Sequence, residues 1–518
     1  MKNIKINRMP LPEKMNIITD DFDGEDKPRS NCAVFGIFSH PQAAVMTYYG
    51  LHSQQHRGQE ASGICVSEKL SDNKYRFNIH KGHGIALNVF SNRNVLTNVL
   101  KGTAAIGHNR YSTTGASDSR SNIQPFKVNF KQGHLALSHN GNFTNTKYLR
   151  DKLQNEGTLF QTSTDSEIFL HLIARSRKNE MIDKILDAAR QVRGAYSIVL
   201  LTDDKLFAIR DPYAVRPLSM AKLGDSFVFA SETCAFDIIN AEYVRDLKAG
   251  EVIQIDDEVI KSGEVKSFFI YKETENKHCI FEYVYFSRPD STIFGNTVDK
   301  VRRKLGKNLA IEKPAPKADI KDKKVVVISV PDSSNTAALG YVTETIKKNP
   351  FVKLELGLIR SHYIGRTFIQ PGQDNREIRV KAKFNTVKSV LKNRIVVIVD
   401  DSIVRGTTAK LLVKLVKEAG PKEIHLRITS PPIISPCYYG MDFPSRDELI
   451  ANQCNDDMEK IREYLDVDSV EYLSLKKLHD SVPQGMNVFG EKIGYCDACF
   501  SRNYPIPIEE IEKAEFEG

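Results

Sequence analysis

No apolar run in this sequence approaches the roughly 18 residues that a membrane-spanning helix needs, so no membrane partner is expected. There is no zinc-finger spacing, no aromatic–basic RNA-binding signature and no basic leucine zipper. The formal net charge is only +8 over 518 residues, and no nucleic-acid partner is expected either. Cysteine is scarce, at 8 residues, and no export signal precedes it. The first 31 residues run from MKNIKINRMP into DDFDGED, whereas a secretory signal needs an apolar centre and a transit peptide is poor in acids. These absences point to a reducing compartment and a cytoplasmic location. Residues 1–31 then read as either a plain tail or a removable propeptide. Internal repeats and low-complexity tracts are absent as well.

What is present suits a soluble globular protein of several domains. Hydrophobic residues make up 41% and charged residues 27%, and the length allows two to four domains. From Cys32 to about Asp257, short β-like runs such as CAVFGIF, ASGICVSE, HLALSHNGN and AYSIVLL dominate. Two helix-like stretches, AAVMTYYGLHSQQ and SEIFLHLIARSRK, interrupt them, giving an α+β pattern. From about Val325 the rhythm becomes strand, loop, helix: VVVISV–PDSSN–TAALGYVTETIKK, then IVVIV–DDSIVRG–TTAKLLVKLVKEAG. Uniformly apolar strands followed by amphipathic helices predict a parallel sheet covered on both faces. A Pro- and Lys-rich connector, IEKPAPKADIKDKK, lies between the halves.

IVVIVDDSIVRGTTAK, residues 395–410, is the most specific stretch. A buried strand ends in Asp400 and Asp401, and a loop containing Ser402, Arg405 and Gly406 opens a helix near Thr407 and Thr408. Unpaired amides at a helix N-terminus bind phosphate, and open α/β sheets hold ligands at the carboxyl ends of their strands. The acidic pair suits Mg²⁺ or sugar hydroxyls. Between Arg360 and Arg394, nine basic residues face two acidic ones, an excess of seven, nearly the whole chain's. That run reads as a solvated basic face or, through HYIGRTFIQPGQ, as a mobile loop closing over a polyanion.

The 395–410 stretch resembles the phosphoribosyl-pyrophosphate loop of type I phosphoribosyltransferases. The resemblance implies that the Arg405–Thr408 loop holds the ribose 5-phosphate. It implies that Asp400 and Asp401 hold the ribose and its Mg²⁺. VPDSSN, at 330–335, is similar to the family's pyrophosphate loop, with Ser333 on the Mg²⁺ side.

GHNRYSTTG (107–115), SHNGN (138–142) and TSTDSE (162–167) are each weak alone. Asn-Gly favours a hairpin turn, and TSTDSE suits a helix cap. Following CAVFGIF and HSQQHRGQEASG, they resemble the glutaminase domain of N-terminal-nucleophile amidotransferases, an αββα sandwich. The resemblance implies that Cys32 is the nucleophile, with its own α-amine as base once residues 1–31 are removed. Arg110 would clamp the glutamine carboxylate, Asp165 its ammonium group, and Asn140 with the Gly141 amide would form the oxyanion hole. Read alone, Cys32 is first of all an ordinary core cysteine opening a strand.

Together the halves resemble the glutamine phosphoribosylpyrophosphate amidotransferase family, in its iron–sulfur, propeptide-bearing branch. FSRPDS at 286–291 and SPPIISPCYYGMD at 430–442 extend the likeness. It implies glutamine and phosphoribosyl pyrophosphate as substrates, with ammonia passing internally to C1 of the sugar. It implies purine nucleotides as feedback inhibitors and a homo-oligomer, dimer or tetramer. The expected division is 1–31, 32–262 (glutaminase), 263–470 (α/β phosphoribosyltransferase) and 471–518. CDAC places Cys496 and Cys499 together, readable as a metal or redox pair. The family supplies Cys279 and Cys437 as partners for a [4Fe–4S] cluster, and Cys₄ zinc is the physical alternative. Cys65 and Cys234 read as core fillers. Two other classes fit less: a sensing regulator, which would lack the glutaminase half, and another amidotransferase, which would lack the phosphoribosyl loop.

Overall fold

The computed structural model describes residues 32–71, 74–111, 120–317, 325–361 and 383–508. The leader 1–31, residues 112–115 of GHNRYSTTG, residues 318–324 of the connector and the HYIGRTFIQPGQ segment with Arg366, Arg376, Arg379 and Lys381 lie outside the described residues. No helix among the described residues is long and apolar enough to cross a membrane.

Two antiparallel sheets build the first half. One has seven strands in the order Glu242–Asp246, Ser219–Leu223, Ser226–Ala230, Ala33–Phe38, Ala104–Arg110, Ala61–Ser71, Lys74–His83. The other has six, in the order Lys266–Phe269, Glu251–Ile255, Leu206–Arg210, Gly194–Thr202, Gly133–Phe143, Phe126–Phe130. CAVFGIF shows no polar alternation because both of its faces are covered. Val34 and Phe38 pack with Val199, Leu201 and Leu206 of the other sheet. Phe35 and Ile37 pack with Ala43, Ala44 and Leu51 of helix Ala43–Ser53. Successive strand side chains point to opposite faces, so one apolar run serves two layers. Gly36 sits where the sheets approach, and a Cβ there would lie 2.5 Å from Val199 Cγ1. On the far face, Tyr196, Ile198 and Leu200 pack beneath helices Ser166–Arg175 and Met181–Ala189.

The second half carries a five-stranded sheet in the order Lys353–Leu354, Val325–Ser329, Ile395–Asp400, Glu423–Ile428, Ser469–Tyr472, all pairs parallel. Val325, Val327, Val397 and Val399 face one apolar cluster, while Val326, Ile328, Val396 and Ile398 face another. Helices Val298–Glu312 and Asn335–Thr345 pack closely through two glycines. A Cβ on Gly306 would lie 1.9 Å from the Ala337 carbonyl oxygen, and one on Gly340 2.1 Å from that of Arg303. Gly420, with φ +78°, follows helix Thr407–Lys417 as a terminating glycine should.

One cluster crosses the halves. Ala195 and Val215 of the first half share it with Ile280, Val301 and Leu305, with Tyr439 and Phe443, and with Phe500 and Ile506 near the C-terminus. Polar contacts follow the same seam: Asn142 Nδ2 donates to the Tyr438 carbonyl at 3.3 Å, and Thr144 Oγ1 to that of Pro507 at 3.1 Å.

Candidate active site

Two separate constellations form, one in each half. In the first, Cys32 precedes strand Ala33–Phe38, whose Ala33 lies opposite Asn109 on the neighbouring strand. That register brings Arg110 beside Cys32, and both are buried. The Cys32 thiol donates to the Tyr111 carbonyl at 3.4 Å. Burial pushes this thiol up to about 11, with Glu60 and Asp165 adding to the shift and the Tyr111 contact and Arg110 opposing it. With residue 31 attached, Cys32 is therefore a neutral thiol near pH 7. Only the thiolate is nucleophilic, so alkylation of Cys32 in the 518-residue chain is expected to rise about tenfold per pH unit until about pH 11. Peptide mapping after iodoacetamide pulses at stepped pH measures this, and a rate already saturated at pH 8 would contradict it.

Strand Gly133–Phe143 brings Asn140 and Gly141 to the same place. Asn140 Nδ2 donates to Ser231 Oγ at 3.2 Å, and its Oδ1 is buried without a partner. Ser231 Oγ also accepts from the Val34 amide at 3.1 Å, fastening Asn140 to the strand that Cys32 opens. Gly141 has φ +145°, and a Cβ there would sit 2.0 Å from the Ala195 carbonyl oxygen, so glycine is required. Asp165 accepts from the Phe143 amide at 3.0 Å and from Ser166 Oγ at 3.1 Å, with His139 Nδ1 at 3.7 Å. Burial works against its charge, but His139 and these hydrogen bonds hold the carboxyl below its ordinary range. The constellation therefore groups a buried cation, a buried anion, an amide side chain and a thiol, a set whose chemistry suits a zwitterion with a reactive carbonyl.

In the second constellation, Asp400 and Asp401 end the central strand of the parallel sheet, both buried. Three hydroxyls fix them. Ser333 Oγ donates to Asp401 Oδ2 at 2.5 Å, Ser334 Oγ to Asp400 Oδ1 at 2.9 Å, and Ser402 Oγ to Asp401 Oδ1 at 2.7 Å. The loop then turns at Gly406, φ +81°, which is the N-cap of helix Thr407–Lys417. As glycine it brings no side chain to cap the first-turn amides of Thr407 and Thr408. A Cβ there would lie 2.5 Å from Ile450 Cδ1. Arg405 turns outward, donating through Nε to Glu448 at 2.9 Å. A helix N-terminus opened by glycine thus lies beside a buried acidic pair at the carboxyl end of the sheet. Of the basic run, Arg360 lies by this site, 3.5 Å from Asp332.

The expected metals require correction. Among the described residues, no group of three or more His, Cys, Asp or Glu side chains is placed to hold a metal ion. Cys279, Cys437, Cys496 and Cys499 do line one cavity, but it measures about 20 Å³ and is walled by Val215, Phe281, Met441 and Phe443. That is space for about one water-sized sphere. Burial pushes the Cys279 thiol up to about 12 and those of Cys496 and Cys499 well above their ordinary value. Cys279, Cys496 and Cys499 pack as neutral thiols, and the cavity they share with Cys437 fits neither a [4Fe–4S] cluster nor Zn²⁺. Likewise Ser333 spends its hydroxyl on Asp401, and the Asp400–Asp401 pair with Ser333 forms no ready Mg²⁺ centre.

Sequence reasoning passed over several residues that hold these sites. His139 lies inside SHNGN but had no assigned role, and Ser231 was not singled out. Arg57, inside HSQQHRGQ, is fully buried between Glu232 and Glu282, which are 175 and 225 positions away. Arg57 stands in a wholly polar string, so nothing local signalled its burial.

Comparisons with known proteins cover both halves of the chain. A family model described as a glutamine amidotransferase domain matches residues 108–237. Amidophosphoribosyltransferase 1, chloroplastic, of Arabidopsis thaliana is 44% identical over 491 residues, covering 95% of this chain and 81% of that protein. Amidophosphoribosyltransferase of Bacillus subtilis is 43% identical over 480 residues, covering 92% and 94%. A solved structure of the allosteric regulatory enzyme of purine biosynthesis superposes with a TM-score of 0.84 at 41% identity, covering 94% of this chain and 99% of that one. The B. subtilis glutamine phosphoribosylpyrophosphate amidotransferase, complexed with ADP and GMP, gives 0.82 at 41%, covering 93% and 99%. The architecture is thus a glutamine amidotransferase-like N-terminal domain followed by a phosphoribosyltransferase-like domain.

Proposed function

The chain belongs to the amidophosphoribosyltransferase family, and from that premise we propose how its two constellations divide the reaction. The enzyme converts glutamine, phosphoribosyl pyrophosphate and water to 5-phosphoribosylamine, glutamate and pyrophosphate, the first step of purine biosynthesis.

Cys32 attacks the glutamine side-chain amide as a thiolate, forming a tetrahedral adduct that collapses to a glutamyl thioester with loss of ammonia. Water then releases glutamate and regenerates the thiol. Asn140 Nδ2 carries two hydrogens; one is committed to Ser231, and the second, with the Gly141 amide, receives the developing oxyanion. Arg110 holds the α-carboxylate and Asp165 the α-ammonium. The neutral Cys32 thiol needs a base, and the α-amine of Cys32 fills that role after cleavage at Asn31–Cys32. An α-amine titrates near pH 7.7–8, so close to neutrality a share of it is unprotonated and can accept the thiol proton. We read the facing sheets with their outer helices as the N-terminal-nucleophile sandwich.

In the second half, Asp400 and Asp401 bind the ribose hydroxyls. Ser402, Arg405, Gly406, Thr407 and Thr408 form the 5-phosphate cradle. Ammonia reaches C1 inside the protein and displaces pyrophosphate, which keeps it from dilution and protonation. For the domains we propose 32–262, extended through edge strand Lys266–Phe269, then a phosphoribosyltransferase unit to 470 and a C-terminal segment from 471. ADP and GMP in the similar B. subtilis structure support purine nucleotides as regulators.

The observation carrying this reading is the presence of both constellations on one chain. Purified protein given glutamine and phosphoribosyl pyrophosphate is expected to form glutamate and pyrophosphate in equal amounts. Glutamate without pyrophosphate under those conditions would overturn the coupled reaction.

A further inference from the structure

The phosphate loop rests against a second segment, residues 445–450, which runs through the short turn Arg446–Glu448 into helix Ile450–Gln453. Contacts join the two at three consecutive loop positions. The Val404 carbonyl accepts from the Ile450 amide at 2.9 Å. Arg405 donates through Nε to Glu448 Oε2 at 2.9 Å, and its Nη2 lies 2.8 Å from the same oxygen. Gly406 faces Ile450 and Tyr464, and a Cβ on it would lie 2.5 Å from Ile450 Cδ1 and 3.0 Å from Tyr464 Cε1.

Glu448 is itself held in place. Its Oε1 accepts from Ser445 Oγ at 3.0 Å, and its amide donates to the Ser445 carbonyl at 3.1 Å. Both carboxylate oxygens are therefore committed, one to Arg405 and one to Ser445. The helix that follows the loop is tied to the same wall. Lys410 Nζ lies 4.3 Å from the centre of the Tyr464 ring, in helix Met458–Leu465.

Stability is a weak account of the Arg405–Glu448 pair. Its side chains are 29% and 49% exposed, and ion pairs so open to water contribute little to folding. What a guanidinium fork on a carboxylate does supply is direction. The residue it aligns stands immediately before the left-handed turn of Gly406, φ +81°, and the amides of Thr407 and Thr408 follow that turn. Amide donors serve an anion only when aimed at it, and small misplacements are costly. Arg405, the cation of RGTT, thus spends two of its nitrogens on holding the loop rather than on reaching over it.

We propose that Glu448 is a positioning residue for phosphoribosyl pyrophosphate: by anchoring Arg405 it fixes the 404–406 turn, so that the Thr407 and Thr408 amides are preset for the 5-phosphate. This rests on the phosphoribosyl-loop reading above. Glu448 touches no substrate atom. It acts on affinity through Arg405, because a loop already held in its binding geometry loses less freedom when the phosphate settles.

The test compares native protein with Glu448→Gln, Arg405→Gln and the double variant. Pyrophosphate release is followed with ammonium chloride as the nitrogen source over a range of phosphoribosyl pyrophosphate. Glutamine hydrolysis without phosphoribosyl pyrophosphate is followed in parallel. Glu448→Gln should raise the KM for phosphoribosyl pyrophosphate about fivefold or more, with kcat and glutamine hydrolysis within about twofold of native. Because Glu448 acts through Arg405, the double variant should be no worse than Arg405→Gln alone. A native KM in Glu448→Gln would overturn the proposal. So would losses that multiply in the double variant, or a parallel fall in glutamine hydrolysis, which marks general damage. No pyrophosphate from native protein under any condition would instead overturn the phosphoribosyl-loop reading.

Discussion

Cys32→Ala is expected to lower glutamine-dependent formation of phosphoribosylamine by about 10³-fold or more, because loss of a covalent nucleophile leaves only binding and oxyanion stabilisation. Formation from free ammonia should persist within about twofold. The separation follows from the structure: Cys32 sits with Arg110, Asn140 and Asp165, whereas the phosphate loop is held by its own hydroxyl set on a different sheet. Alanine at this buried position also removes only a small volume. A pyrophosphate-release assay run with glutamine and then with ammonium chloride measures both arms. Retained glutamine use, or loss of both activities in folded protein, would refute the role of Cys32.

Asp401→Asn should give the mirror image. We expect phosphoribosyl transfer to fall on the order of 10²-fold or more with either nitrogen source, comparable with removal of one positioned catalytic group. Glutamine hydrolysis measured without phosphoribosyl pyrophosphate should remain. Asparagine is nearly isosteric, and the Ser333, Ser334 and Ser402 hydroxyls that donate to Asp401 can rotate to accept from its amide. A defect therefore reports lost charge rather than lost packing. An unchanged KM for phosphoribosyl pyrophosphate together with unchanged turnover would remove Asp401 from the site.

Local strings carried much of this in the sequence. Asp400 through Thr408 were legible because strand end, acidic pair, glycine and helix start are consecutive, and each has a short-range physical cause. Gly141 was legible as Asn-Gly, although its reason turned out to be the approach of the Ala195 carbonyl rather than a hairpin. Arg57, Glu232 and Glu282 were not legible as partners, since nothing local couples positions more than 170 residues apart. The four cysteines show the opposite error. The family resemblance joined Cys279 and Cys437 to the CDAC pair as a metal centre, but neither resemblance nor spacing carries information about cavity volume, and about 20 Å³ of apolar space decides against one. Likewise the helix-like and strand-like runs indicated layers, while the partner of each face of CAVFGIF became clear only when Val34 and Phe35 were seen in different clusters.

The apolar cluster that joins Ala195 and Val215 to Phe443, Phe500 and Ile506 has a consequence for how such an enzyme can change over time. Either half expressed alone would expose a face built to be covered, a surface prone to association. Gene fission would therefore yield two insoluble fragments rather than a free glutaminase and a free transferase, and shortening the C-terminus past Ile506 would injure the half at the opposite end of the chain. Inheritance of the two chemistries is bound together by packing, independently of any advantage in keeping ammonia from escaping.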